Sequence, residues 1–199
     1  SADHTGVLTV ENAMRLKRND PDYKLNVIRK IMTDFHIDQA AADRYYANDF
    51  IKILQANEGY GKKFLGCTNL GNAKRVFSYD DKFIDVGINK DLCLEEIFAL
   101  MKAGKIKFPA KDESLEIIGW LIDHVTSMET HIKVRDGLVL RTYKKGIVQN
   151  DGLMALMYAY TAYKFTVTRE FSGAAHGSNV KNENNGAPLP ILGHIPKMH

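Results

Sequence analysis

The stretch Ile37-Asp-Gln-Ala-Ala-Ala-Asp43 decides the expected fold, because it reads as a short strand that ends on an acid. A helix with Phe50, Ile51 and Leu54 on one face follows from about Asn48. Ligands of open α/β sheets gather at the carboxyl ends of strands. Asp43 is therefore our first candidate metal ligand. The competing interpretation is that its carboxylate only caps the turn that follows.

Strands and helices alternate on both sides of this stretch, which predicts an α/β domain with helices packed on a mixed sheet. Glycines and prolines mark several of the boundaries. The predicted elements are a strand over Val7–Val10, a helix opened by Asp20 and Pro21, strands over Lys63–Thr68 and Arg75–Tyr79, a helix capped by Asp91 and closed by Gly104, a strand over Lys105–Pro109, and a helix whose apolar register runs from Leu115 to Met128.

A β-hairpin is predicted over Ile132–Tyr143, since Asp136-Gly137 is a strong two-residue turn signal. The hairpin and its exit are basic, and such side chains are suited to contact the phosphates of a duplex. An ordinary solvated hairpin, whose charges prevent edge-to-edge aggregation, explains them equally well. The candidate nucleic-acid-binding residues are Lys133, Arg135, Arg141, Lys144 and Lys145.

The last regular element is predicted as a helix from Asp151 to Tyr163, with Leu153, Leu156, Met157 and Tyr160 facing inward. Asp151 stands where this apolar helix begins, and it is our second candidate ligand. The competing interpretation is a plain helix cap, a position that favours aspartate. The helix after Asp151 is almost wholly apolar and is therefore expected to be buried. Its first turn, with Asp151, is then expected to lie against the sheet.

Two or three converging carboxylates suit a hard divalent cation such as Mg²⁺, which bridges substrate phosphates. A metal pair about 4 Å apart activates water and stabilises the leaving oxygen of a phosphodiester. This chemistry needs no nucleophilic side chain, and the sequence has no convincing Ser/His/Asp or Cys/His arrangement. The seven histidines form no ligand set, and no phosphate-binding Gly-rich loop with its Lys and hydroxyl is present.

The composition sets wide limits on the function. The chain has 199 residues, 45% of them hydrophobic, and a formal net charge of +3, which permits a polyanionic partner without requiring one. Two cysteines argue against a disulfide framework, and no apolar run is long enough for a membrane helix. We therefore expect a soluble intracellular protein with one domain over residues 1–168. A flexible tail or docking arm rich in Gly, Asn and Pro is expected over 169–199.

The order of these pieces resembles the C-terminal nuclease domain of the large terminase subunit of tailed bacteriophages. The resemblance runs from about residue 7 to 165, and its motifs are individually loose. It is carried by Ala-Ala-Ala-Asp43, by Gly66-Cys-Thr-Asn-Leu-Gly71 through Arg75-Val-Phe-Ser-Tyr79, by Leu94-Glu-Glu-Ile-Phe-Ala-Leu-Met-Lys-Ala-Gly-Lys-Ile-Lys-Phe-Pro109, and by Asn150-Asp-Gly-Leu-Met-Ala-Leu156.

The resemblance implies a ribonuclease-H-like fold with a mixed central sheet flanked by helices and an added hairpin. It implies that concatemeric double-stranded DNA is cut with two Mg²⁺ or Mn²⁺ ions held by three acids. Asp43 matches the family's second acid, and Asp151 matches the acid before the last helix. The expected partners are the terminase ATPase domain, the small terminase subunit and the portal, in the host cell cytoplasm.

The first acid of the family has no clear counterpart. Asp3 is a candidate, but it precedes the strand that we interpret as the family's second. We expect the true first acid to lie upstream of Ser1, in which case the chain binds metal poorly and cuts slowly or not at all. Two other functions stay open: another ribonuclease-H-like nuclease of the resolvase or transposase type, and a non-enzymatic interaction module of a viral assembly.

Overall fold

A computed structural model describes residues 1–2, 5–16, 20–56, 60–71, 77–80, 85–108, 115–135, 138–146 and 150–175. Within these ranges the chain is a mixed α/β structure, as the alternating pattern predicts. In chain order its elements are β1 Leu8–Thr9, α1 Pro21–Asp34, β2 Ala40–Asp43, α2 Arg44–Ala56, a 3-10 turn Gly61–Lys63, β3 Phe64–Asn69, β4 Phe77–Asp80, β5 Asp85–Ile88, α3 Lys90–Lys102, β6 Ile106–Lys107, α4 Leu115–Thr126, β7 Met128–Arg135, β8 Leu138–Lys145 and α5 Asp151–Ala175.

The largest described sheet has the strand order β2-β3-β5-β4. Strands β2, β3 and β5 are parallel, and β4 closes one edge as an antiparallel neighbour of β5. Asp43 pairs with Cys67, which pairs in turn with Val86. The sheet is therefore mixed, and β2 lies at its edge with Asp43 at the carboxyl end. The short strands β1 and β6 form a separate parallel pair.

Each face of this sheet carries its own apolar core, because alternate residues of a strand point to opposite faces. On one face, strand residues pack with α3 and α5 in a buried cluster of Leu65, Cys67, Val86, Ile88, Cys93, Leu94, Ile97, Leu153, Met157 and Tyr160. On the other face, Phe64 packs with α1 and α2 through Leu25, Met32, Ile51 and Leu54. The sheet is thus covered by helices on both sides.

The observed helix cap is the predicted residue at α1 and a different residue at α3. Asp20 accepts a hydrogen bond from the backbone N–H of Asp22 and caps α1, as predicted. Asp91 does not cap α3; that position belongs to Asn89, whose side chain accepts from the N–H of Leu92. Asp91 instead accepts from the backbone N–H of Tyr143 at 2.9 Å. It therefore fixes the base of β8 onto α3.

The predicted hairpin is confirmed, with β7 and β8 paired antiparallel from Met128↔Lys145 to Arg135↔Leu138. That register leaves residues 136 and 137 as the connection, although both lie outside the described residues. Met128 was expected to continue the register of α4, and this prediction is wrong. Helix α4 ends at Thr126, and Met128 opens β7.

Helix α5 is longer than the sequence pattern indicates. It was expected to end at Tyr163, but it continues to Ala175. No glycine or proline stands between Gly152 and Gly173, so nothing in the local sequence ends the helix earlier. Among the described residues, no helix is long and apolar enough to cross a membrane. The rest of the predicted tail, 176–199, lies outside the described residues.

Candidate metal and nucleic-acid site

Asp43 ends β2 and caps α2, which starts at Arg44 and not near Asn48 as the sequence suggested. Its Oδ1 accepts hydrogen bonds from the backbone N–H of Tyr45 at 2.7 Å and of Tyr46 at 3.3 Å. These are bonds that a helix N-cap makes, so the capping interpretation of Asp43 is correct as far as Oδ1 is concerned. Its other oxygen has a different role.

The second oxygen of Asp43 binds the final helix. The phenol of Tyr158 on α5 donates to Asp43 Oδ2 at 2.6 Å. Burial, together with this hydrogen bond to a carboxylate, raises the pKa of Tyr158 above its usual value. The phenol therefore stays protonated at neutral pH and acts as a donor. Each carboxylate oxygen has two acceptor positions, so Oδ2 keeps one beyond the bond from Tyr158.

A second acid, which sequence analysis missed, lies near Asp43 on the opposite face of the sheet. Asp85 opens β5 opposite Gly66 and forms an ion pair with Arg44. A Cβ at Gly66 would lie 2.6 Å from Asp85 Oδ1 and 2.8 Å from Arg44 Nε. Glycine is therefore required for the ion pair to lie flat on the strand. Asp85 faces α2, whereas Asp43 faces α5, so Asp85 does not join Asp43 in one site.

Asp151 is exposed at the first position of α5. The helix start is held by α4: the backbone N–H of Gly152 donates to Nδ1 of the buried His124 at 3.0 Å. A Cβ at Gly152 would lie 2.9 Å from Trp120 Cζ3, so only glycine permits this packing. The described hydrogen bonds include none from the Asp151 side chain. His124 therefore satisfies one backbone N–H at the start of α5, and no described hydrogen bond occupies the carboxylate of Asp151.

Helix α5, which begins at Asp151, packs on the face of the sheet to which Asp43 points. Tyr158, which binds Asp43, stands seven residues after Asp151, a separation of about 10 Å along the helix axis at 1.5 Å per residue. No described group of three or more His, Cys, Asp or Glu side chains is placed to hold a metal ion. Asp3 lies outside the described residues. That Asp43 and Asp151 share a cation remains a prediction.

The basic positions of the hairpin do not form one continuous row. In the β7–β8 register, Lys133 is opposite Leu140, Arg135 opposite Leu138, and Lys144 opposite Glu129. Positions 133, 135 and 144 therefore belong to one face of the ribbon, and 141 and 145 to the other. Arg141 Nη1 lies 3.3 Å from Oε1 of Glu95 on α3, and the two side chains form an exposed ion pair. The side chains of Lys133, Arg135 and Lys145 lie outside the described part.

The described geometry offers no thiol nucleophile, because both cysteines are buried. Burial, with a smaller contribution from Asp43, raises the pKa of Cys67; burial, with a contribution from Glu96, raises that of Cys93 to about 12. We expect neither thiol to react with Ellman's reagent in the folded protein, since the thiolate is the reactive form. Both should react once denaturant is added. Rapid release of one equivalent from the native protein would contradict this placement.

The double role of Asp43 predicts a difference between two substitutions. Asp43→Ala removes the helix cap and leaves the Tyr158 phenol without its acceptor, so we expect a loss of about 2 kcal/mol in the free energy of unfolding. Asp43→Asn retains an oxygen for the cap and a polar group for Tyr158, and should cost less than about 1 kcal/mol. Urea unfolding of both variants measures the difference. Losses below about 0.5 kcal/mol in both variants would show that Asp43 makes neither contact in solution.

The chain matches no protein-family model, no curated protein and no solved structure at a significant level.

Proposed function

We propose that the chain is a metal-dependent endonuclease domain with a ribonuclease-H-like arrangement. Its proposed role is that of the nuclease of a tailed-phage terminase, which cuts concatemeric double-stranded DNA into genome-length pieces. One observation supports this most: the Asp43 carboxylate, at the end of a parallel strand, contacts the helix that Asp151 opens. This contact supports the proposal because it ties the strand that ends at Asp43 to the helix that begins at Asp151.

The donor set fits a hard cation, because carboxylate oxygens are the ligands that Mg²⁺ and Mn²⁺ prefer. Asp43 would contribute Oδ2, and Asp151 either of its oxygens. Bound metal would supply an activated water and charge stabilisation at the leaving oxygen. Tyr158 would hold the Asp43 carboxylate in place through its phenol, and His124 would hold the start of α5. The third acid that the resemblance implies has no counterpart among the described residues.

The proposed substrate is double-stranded DNA, and the basic hairpin positions are proposed to contact its phosphates. By register, one face of the ribbon carries Lys133, Arg135 and Lys144. We therefore expect these three residues to contact the same DNA backbone. The terminase ATPase domain, small subunit and portal are the proposed partners, in the host cell cytoplasm. These partners follow from the motif resemblance alone.

Nicking of supercoiled plasmid DNA in the presence of Mn²⁺ tests the proposal. We expect conversion of supercoiled to open-circular DNA that stops when EDTA is added, and stronger activity when the chain is extended upstream by about thirty residues. Branched DNA junctions, offered in parallel, separate the terminase function from a resolvase, which would prefer them. An extended protein that cuts neither substrate with Mg²⁺ or Mn²⁺ would reject the nuclease.

A non-enzymatic interaction module is the second candidate, and one observation favours it. Ile132 and Val134 of β7 are 66% and 71% exposed, on the same face of a two-stranded ribbon. Exposed β-branched side chains at the end of a projecting hairpin are typical of a protein contact. This candidate predicts a protein that cuts no DNA but whose binding to a partner is lost on Ile132→Asp with Val134→Asp.

A further inference from the structure

Two adjacent tyrosines follow Asp43 and Arg44 and project into solvent. Tyr45 is 85% and Tyr46 83% exposed, more than any other large apolar side chain that the structure describes. Their ring centroids are 5.0 Å apart, and the ring planes meet at 85°. The pair therefore presents two flat aromatic surfaces at right angles to each other. Tyrosine is enriched at binding interfaces, because it presents a large apolar ring together with a polar hydroxyl.

The backbone beneath the two rings is fixed on both sides. The N–H groups of Tyr45 and Tyr46 donate to Asp43, and Arg44 is held by its ion pair with Asp85. After the pair, Ala47 has non-helical angles of φ −119° and ψ 18°, which kink α2. The turn that carries the rings is thus set apart from the rest of the helix. The backbone that carries the two rings is therefore anchored to the Asp43 carboxylate.

The surroundings of the pair favour a nucleobase over a protein as its occupant. Asp43 and Arg44 precede the rings in the sequence, and Asn48 and Asp49 follow them, so polar residues flank the pair along the chain. A stable protein interface needs a far larger buried area, of about 800 Å² per partner. A base needs only one ring face, and stacking on aromatic side chains accepts every base.

We infer that Tyr45 and Tyr46 form a stacking site for unpaired bases of the DNA strand that lies at Asp43. The inference rests on the proposed nuclease function, which makes DNA the molecule that passes this carboxylate. The inference further implies that the DNA strand is at least locally single-stranded next to the cut. A base inside a duplex is stacked between its neighbours, so neither of its ring faces is free to stack on a tyrosine. The pair then determines where a frayed or nicked strand is held.

Binding of single-stranded DNA, measured by fluorescence anisotropy in EDTA, tests the inference without any cleavage. The probes are a labelled oligothymidylate of about 12 nucleotides and an abasic strand of the same length and phosphate number. The wild-type chain should prefer the base-containing strand by about 10-fold. Tyr45→Ala with Tyr46→Ala should remove this preference, and Tyr45→Phe with Tyr46→Phe should keep it. Phe35→Ala, an exposed ring at the end of α1, is the matched control.

The outcomes separate this inference from the nuclease proposal. Equal binding of the two strands by the wild-type chain, binding of neither, or a preference that survives the double alanine change, would overturn the stacking site. Plasmid nicking with no base preference would reject the stacking site alone. A base preference that depends on Tyr45 and Tyr46, in a chain that never cuts DNA, would support the stacking site and reject the nuclease.

Discussion

Replacing Asp43 with asparagine is expected to lower the rate of Mn²⁺-dependent plasmid nicking by at least about 100-fold, since loss of a metal-binding charge removes several kcal/mol of transition-state stabilisation. Asparagine keeps the α2 cap and a polar contact for Tyr158, so the fold should survive. The change therefore removes the charge with little effect on structure. Asp151→Asn should lower the nicking rate by a similar factor. No described hydrogen bond depends on that carboxylate, so this change should also leave the fold intact.

Two other aspartates supply matched controls for these variants. Asp49 is exposed on α2, close in sequence to Asp43, and Asp123 is exposed on α4, next to His124. Asp49→Asn and Asp123→Asn change the net charge by the same amount and should keep wild-type nicking rates. Thermal unfolding of all four variants confirms that each is folded. If the Asp43 and Asp151 variants cut as fast as these controls, the two acids are not catalytic.

Leu153→Ala is expected to cost about 2 to 5 kcal/mol of the free energy of unfolding, the largest stability effect that we predict. Leu153 is fully buried in the cluster that joins α5 to the sheet and to α3. Removing its branched end leaves a cavity between a helix and strands that are fixed by other contacts. The same substitution at Leu70, which is exposed just after β3, should change stability by less than about 0.5 kcal/mol.

Urea unfolding followed by circular dichroism measures both leucine variants. A lower midpoint with an unchanged slope for Leu153→Ala would show a loss of stability without a change in the unfolded state. Because Leu153 begins the buried face of α5, its variant should also weaken the link between Asp43 and that helix. Similar midpoints for the two variants would contradict the packing of α5 on the sheet.

Local chemistry in the sequence is enough to predict much of the fold. Asp20-Pro21 marks the start of α1, and Asp136-Gly137 marks the hairpin, because caps and tight turns depend on a few adjacent residues. The strand that ends at Asp43 and the helix that begins at Asp151 are predicted for the same reason. The structure confirms the starts of α1 and α5, the end of β2 at Asp43 and the pairing of β7 with β8.

The errors arise where several local signals compete or where a signal is weak. Asn89 and Asp91 both suit a helix cap, and only the packing of β8 decides that Asp91 binds Tyr143 instead. Strand β5, Asp85–Ile88, has four residues, one of them glycine, and no alternation long enough to detect. Its absence from the prediction is why Asp85 and its ion pair with Arg44 were not foreseen.

The contacts that build the candidate site are beyond sequence reasoning, because they join distant residues. Tyr158 and Asp43 are 115 positions apart, and Gly152 and His124 are 28 apart. Both contacts affect the roles that the two candidate acids can have. Asp43, which seemed the stronger candidate, is partly occupied by structural bonds, whereas His124 replaces Asp151 at the task of satisfying the start of α5.

Anomalous diffraction from crystals soaked in Mn²⁺ tests most directly whether Asp43 and Asp151 share a cation. We predict a peak bound by carboxylate oxygens of both residues, each at about 2 to 2.6 Å. The peak should disappear in the Asp43→Asn protein while Tyr158 keeps its place. Anomalous density that lies away from both acids, or two carboxylates held too far apart to ligate one ion or an ion pair, would contradict the proposed nuclease site.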